Sequence, residues 1–179
     1  MTSDRRVYLR GVGRIIVVLA VLVAFTACGY QFKGMGLEAP EGVRTIAITV
    51  LENRTSESGI ETTFTGDLAY EFTRSKVLEV VDKETADAVL SGSIASVKVD
   101  TISHTANYQS DERRVTVTLD LTLKRADGKV IWSDRSVSDQ EVFKVSSDKM
   151  TTESNKRAAI EVISERLADK IHNRILQDF

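Results

Sequence analysis

Few side chains in this 179-residue sequence are of a kind that does covalent or acid–base chemistry. It has one cysteine, Cys28, and two histidines, His104 in a polar segment and His172 near the C-terminus. A zinc or thiolate site needs several such groups together, and one thiol with two separated imidazoles does not supply them. No G-x-S-x-G elbow, phosphate-cradling glycine loop or H-E-x-x-H pair occurs. Asp and Glu are abundant, but solvated helix faces account for most of them. No catalytic residue, metal or cofactor is therefore expected, and the chain reads as a non-enzyme. The thiol of Cys28 is left with one evident chemistry, nucleophilic attachment of a lipid through a thioether.

The residues before Cys28 fit that chemistry. Arg5, Arg6, Arg10 and Arg14 face a single acid, Asp4, and an apolar run follows from Ile15 to Phe25. The run is too short to span a bilayer, which takes about 20 apolar residues, but it suits the core of an export signal. It ends in Phe25-Thr26-Ala27-Cys28, which resembles a lipobox with Phe25 where Leu is usual. Residues 1–27 are expected to be a lipoprotein signal peptide, cut before Cys28, with the lipid on that cysteine holding the chain to a membrane. Arg5-Arg6-Val7-Tyr8-Leu9-Arg10 also looks like a twin-arginine motif, so the general secretory route is favoured without excluding the other.

Removing residues 1–27 takes four arginines and one aspartate from the 24 basic and 26 acidic residues, leaving 20 and 25, a net charge of −5. A mildly acidic domain lacks the electrostatic footprint of a nucleic-acid binder. Cys28 has no partner thiol in the chain for a disulfide, so stability must come from packing. The length left suits one self-sufficient core.

Residues 28–42, with four glycines and the sole proline, Pro40, read as a lipidated flexible tether. Residues 43–179 then read as a single domain. Thr45-Ile46-Ala47-Ile48-Thr49-Val50 alternates as a strand does. Ser58 and Glu61 have capping-box spacing, and Ile60, Phe64, Leu68 and Phe72 line one side of a helix predicted to end near Arg74 or Ser75. Val77–Val81 suits a second strand, and a third follows Ala86-Asp87. In that third strand the apolar positions shift from even (Leu90, Ile94) to odd (Val97, Val99), which demands a β-bulge near Ala95-Ser96.

From Arg114 to Lys124 the alternation is unbroken, with Val115, Val117, Leu119, Leu121 and Leu123 on one face. Asp127-Gly128 predicts a hairpin turn into Lys129-Val130-Ile131-Trp132, with further pairing through Val142, Phe143 and Val145. Trp132 suits either core packing or a partner contact. A long helix is predicted from about Thr152 to Gln177, its stripe made by Ile160, Ile163, Leu167, Ile171 and Ile175. The expectation is an α/β (α+β) two-layer sandwich, a mixed sheet of about four strands with both helices packed on one face. Alternation sends Lys98, Arg114 and Lys124 to the other, polar face, and the polar connection 103–112, carrying His104 and Tyr108, should project.

Several segments in order resemble the LptE family of lipoproteins. They are Cys28-Gly29-Tyr30-Gln31-Phe32-Lys33-Gly34, Ile46-Ala47-Ile48 through Asn53-Arg54-Thr55 to Gly59-Ile60-Glu61, then Ala86-Asp87 with Leu90, Gly92 and Ile94. Val115-Thr116-Val117-Thr118-Leu119 and Gly128-Lys129-Val130-Ile131-Trp132 complete the set, which departs at Thr49, Val50 and Leu51, where a proline and an aromatic are usual. The resemblance implies a non-enzymatic outer-membrane lipoprotein that sits inside the β-barrel LptD, supports its assembly and binds lipopolysaccharide. On that reading Lys98, Arg114 and Lys124 would meet lipopolysaccharide phosphates, and the loop with His104 and Tyr108 would meet the barrel. The competing expectation is a periplasmic lipoprotein adaptor that activates a cell-wall synthase or nucleates a secretion complex.

Overall fold

The computed structural model describes residues 39–104 and 110–178, and within those the side chains outside 103–111. Cys28, Tyr108 and the first part of the expected tether lie outside the described residues. The elements run in the order β1 (Thr45–Ile48), β2 (Glu52–Asn53), α1 (Ile60–Ser75), β3 (Glu79–Val80), β4 (Ala88–His104), β5 (Ser110–Arg125), β6 (Val130–Lys144) and α2 (Lys149–Gln177). The strands form one mixed sheet in the order β3-β1-β4-β5-β6, with β2 pairing β4 beyond the end of β1. Pairing among β1, β2, β3 and β4 is parallel; β4, β5 and β6 form an antiparallel meander. The sheet has six strands rather than about four: β3 falls within the expected strand Val77–Val81, whereas β2, two residues long, is too short to carry a periodic signal.

The strict alternation of β5 is what makes the two layers. Val115, Val117, Leu119, Leu121 and Leu123 are at most 1% exposed and pack under both helices. Ile60, Phe64, Leu68 and Phe72 of α1, with Ile160, Ile163, Leu167, Ile171 and Ile175 of α2, complete one core. The helices are also tied to each other: Ser164 Oγ donates to Asp67 Oδ2 at 2.5 Å, and the ring of His172 meets Phe72 edge-on, 5.0 Å between centroids.

Trp132 is core as well, 7% exposed, with Nε1 donating to Asp178 Oδ2 at 2.9 Å. At the near end of the domain, Ala39 packs on the core, Pro40 is buried, and the Val43 amide donates to the Pro40 carbonyl at 2.9 Å.

The bulge in β4 falls where the apolar phase changes: Ile94 pairs Leu119 and Ser96 pairs Thr118, leaving Ala95 extra. A second irregularity, in β6, has no counterpart in the sequence pattern. Leu119 pairs Val137 but Leu121 pairs Asp134, and Ser136 between them has φ 63°. Its displaced amide donates to Asp120 Oδ1 at 2.8 Å, so the broken ladder is repaired by a side chain.

The helix starts also depart from expectation. α1 begins at Ile60, but Ser58 does not cap it: the chain enters through Gly59 at φ 87°, a left-handed N-cap with no side chain to accept a bond. The acidic half of the box persists. Glu61 accepts from Asn53 Nδ2 at 2.8 Å, and the Glu61 backbone amide together with Asn53 lowers its carboxyl pKa. α2 begins three residues before Thr152, because Asp148 caps it, accepting from the Thr151 amide at 2.8 Å and the Met150 amide at 3.3 Å.

Candidate functional site

The burial of β5's odd residues under the helices leaves its even residues, Arg114, Thr116, Thr118, Asp120, Thr122 and Lys124, on the opposite face. Neighbouring strands add Ser91, Ser96 and Lys98 from β4 and Ser133, Ser138 and Gln140 from β6, in register with them, while Ser93, opposite Asp120, is buried. The result is a platform of small hydroxyls with charges set among them. Hydroxyls both donate and accept, so such a surface stays wetted or takes up hydrogen-bonding ligands without a strong field of its own.

Lys98 and Arg114 belong together. Lys98 pairs Thr116 and Arg114 pairs Asp100, which makes the two bases diagonal neighbours about 7–8 Å apart along the ladder. Lys124, opposite Val89, lies eight residues farther along β5 than Thr116, or about 27 Å at strand rise. The three bases thus share a face but form two stations. Lys124 lines a recess of about 630 Å³ at the end of the sheet with Lys83, Glu84, Arg125, Thr49 and Ser91. Arg125 reaches back to donate to the Glu41 carbonyl, and its Nε is buried with no partner.

Lys83 and Arg125 do not emerge from alternation, since one sits in the connection after β3 and the other at the last position of β5. Only tertiary proximity assembles them with Lys124. His104 ends β4, paired with Ser110, and its side chain lies outside the described ones. His172 is buried in the core. Among the described residues no three His, Cys, Asp or Glu side chains are grouped to hold a metal ion.

Two of the sequence segments acquire structural roles. Asn53 donates to the Glu57 carbonyl and to Glu61, and accepts from the amide and hydroxyl of Thr55, so this turn is held by one amide side chain. Arg54 projects from that turn and pairs Glu52 at 2.8 Å; the hydrogen bond to Glu52 is the main cause of its raised pKa, with Asp120 of the polar face contributing. Asp87 accepts from the amides of Arg44 and Thr45 at 2.9 and 3.0 Å, pinning the start of β1 to β4. Those two amides, Arg44 first, hold its carboxyl below the ordinary carboxylate range.

The described residues thus pack two helices on one face of a mixed sheet and leave hydroxyls and scattered charges on the other. The particular family follows from the sequence: the LptE model, described as lipopolysaccharide-assembly, matches residues 43–175. The chain belongs to the LptE family.

Solved structures share the fold. Uncharacterized lipoprotein B from Nitrosomonas europaea is similar with a TM-score of 0.59 at 13% identity, over 84% of this chain and 92% of that one. A putative lipoprotein from Caulobacter crescentus gives 0.53 at 12%, over 74% and 88%. A minor lipoprotein from Acinetobacter baumannii gives 0.53 at 13%, over 76% and 92%. No curated protein matches the chain in sequence. Among the described residues no helix is long and apolar enough to cross a membrane.

Proposed function

We propose that the protein is an outer-membrane lipoprotein, anchored by lipid on Cys28, that serves as the assembly partner of the β-barrel LptD and binds lipopolysaccharide on its uncovered sheet face. The observation that carries this reading is that face itself. Its threonines and serines suit a water-lined barrel interior, and its bases stand on firm strands where they can meet phosphates with charge-assisted hydrogen bonds. The two stations divide the work: Lys98 with Arg114 near the loop end, and Lys124 with Lys83 and Arg125 in the recess. Two separated cationic points suit a large amphiphile with more than one phosphate better than a small anion.

Two experiments test the reading. Affinity purification of the tagged protein from its own membranes should bring down LptD; recovery of a cell-wall synthase or secretion complex instead would favour an adaptor. The Lys98→Glu, Arg114→Glu, Lys124→Glu variant should stay folded and anchored but bind lipopolysaccharide more weakly, most clearly at low salt where charge contacts are least screened. Unchanged binding would remove these residues from the site while leaving the barrel partnership standing.

A further inference from the structure

The two long strand margins of the sheet are treated oppositely. On β6 the backbone is capped by α2: Lys170 Nζ donates to the Ser138 carbonyl at 3.1 Å, Arg166 to that of Gln140 at 3.3 Å, and Asn155 to that of Lys144 at 2.9 Å. The Gln140 amide is taken by Asp139, and Arg166 and Arg174 also pair with Asp139, Glu141 and Asp134. That margin is closed to strand addition.

On β4 the margin is open. Its parallel partners end with β2 at the pair Asn53–Ile94, and among the described residues nothing pairs with it on that side beyond the bond from the Arg54 amide to the Ile94 carbonyl. The direction of its free groups follows from the register. The Leu90 and Ile94 carbonyls point to this side, accepting from Thr49 and Arg54. Outward groups recur every second residue, and the extra residue Ala95 moves the phase by one. Val97, Val99 and Thr101 therefore present their amides and carbonyls to the open side. Val99 is 41% exposed, and Lys98 and Asp100 flank it, both exposed and neither in an ion pair with another described residue. A bare margin of this kind is a template for an added strand.

The side chains say which strand fits. We propose that the open margin of β4 at Val97–Thr101 pairs antiparallel with the same segment of a second copy of this chain, about a two-fold axis at Val99. In that register Val99 faces Val99 in a hydrogen-bonded pair and Val97 faces Thr101, so every outward amide and carbonyl of the three residues finds a partner. Lys98 of each copy then faces Asp100 of the other, on the sheet face where Arg114 already lies across from Asp100. Charges of alternating sign run Lys98, Asp100, Arg114 across the joined sheets. Opposite charges directly across a ladder favour pairing and like charges oppose it, so the segment is complementary to itself in this register. The pairing requires neither the barrel nor lipopolysaccharide.

The test is cross-linking of the full chain in membranes. Facing residues of a hydrogen-bonded antiparallel pair have Cα atoms about 5.5 Å apart, within the span of a disulfide. Val99→Cys should give a disulfide-linked band at twice the chain mass under mild oxidation. The parent and Lys124→Cys, far from the axis, should not. Adding Asp100→Lys puts Lys opposite Lys twice and should cut the dimer about tenfold. Adding Lys98→Asp as well restores opposite charges and should restore the band, an outcome that simple misfolding does not give. A protease-resistant Val99→Cys chain without the band overturns the proposal. So does a band indifferent to both charge changes, and so does linkage to a protein of different mass, which would assign the margin to another partner.

Discussion

A Cβ placed on Gly92 of β4 would lie 2.1 Å from the backbone carbonyl oxygen of Asp120 on β5. It would also stand 2.7 Å from a Leu121 methyl and 3.0 Å from the Leu121 Cα. The glycine is required by close approach of two strands rather than by its dihedral angles. Asp120 is also the residue whose carboxylate holds the displaced Ser136 amide. The strand crowding Gly92 is therefore fixed from its other side by the β6 bulge and cannot easily withdraw.

Gly92→Ala should accordingly destabilise by about 1–3 kcal/mol or prevent folding, as overpacking does where backbone must move. Gly66 is exposed on α1, and a Cβ there would meet nothing within 4 Å. It gives the opposite sign: Gly66→Ala should stabilise by about 1 kcal/mol through helix propensity. Urea unfolding of the pair checks both directions, and equal effects would mean that β4 and β5 approach less closely than these distances require.

The acid limb of stability should report the capping carboxylates. Asp148, held low first by the Thr151 hydroxyl and then by the Thr151 and Met150 amides, has a folded pKa below its ordinary value of 3.8, as does Asp87. A carboxyl whose pKa is depressed on folding adds stability that is present above the unfolded value and lost as pH falls through the folded one. Asp148→Asn keeps a good N-cap but cannot titrate. The variant should be less stable than the parent at neutral pH, with the gap closing below about pH 4. A gap that persists to lower pH would mean that the charge is not what Asp148 contributes.

How far the sequence revealed this fold depends on whether the cause was local. The stripe of Ile60, Phe64, Leu68 and Phe72 and the alternation from Val115 to Leu123 repeat at one element's own period, and both were legible. The bulge at Ala95 was legible because it shifts a period already established. The φ of Ser136 was not, because the residue that tolerates it sits on another strand and no glycine marks it. The same holds for the candidate site. Lys98, Arg114 and Lys124 were placed on one face by parity, but parity carries no distance along the strand. The recess joining Lys124 to Lys83 and Arg125 depends on where three separate segments end.

Leu167 of α2 is fully buried in the core formed with α1 and the sheet. Leu167→Ala should cost about 2–5 kcal/mol, the range for deleting a buried leucine side chain beyond its Cβ. For a chain of this length each kcal/mol lowers the thermal midpoint by roughly 2–4 °C. Calorimetry showing an unchanged midpoint would mean that the α2 stripe does not hold the core together.

The anchor is tested at Cys28. A thioether-linked lipid needs the thiol, and the hydroxyl of serine is a far weaker nucleophile, so Cys28→Ser should accumulate as uncut precursor that still carries residues 1–27. One acyl chain binds a bilayer only marginally, whereas two or more hold it firmly, so the processed parent should resist extraction by salt or carbonate. Gly29 follows the cysteine where an aspartate commonly retains lipoproteins at the inner membrane, and the parent should fractionate with the outer membrane. The readouts are separable: precursor mass reports cleavage, carbonate resistance reports the lipid, and density fractionation reports sorting. Normal cleavage of Cys28→Ser with full membrane recovery would mean that an ordinary signal precedes a domain held to the membrane by protein contacts alone. The sheet-face reading would survive that result; the anchor would not.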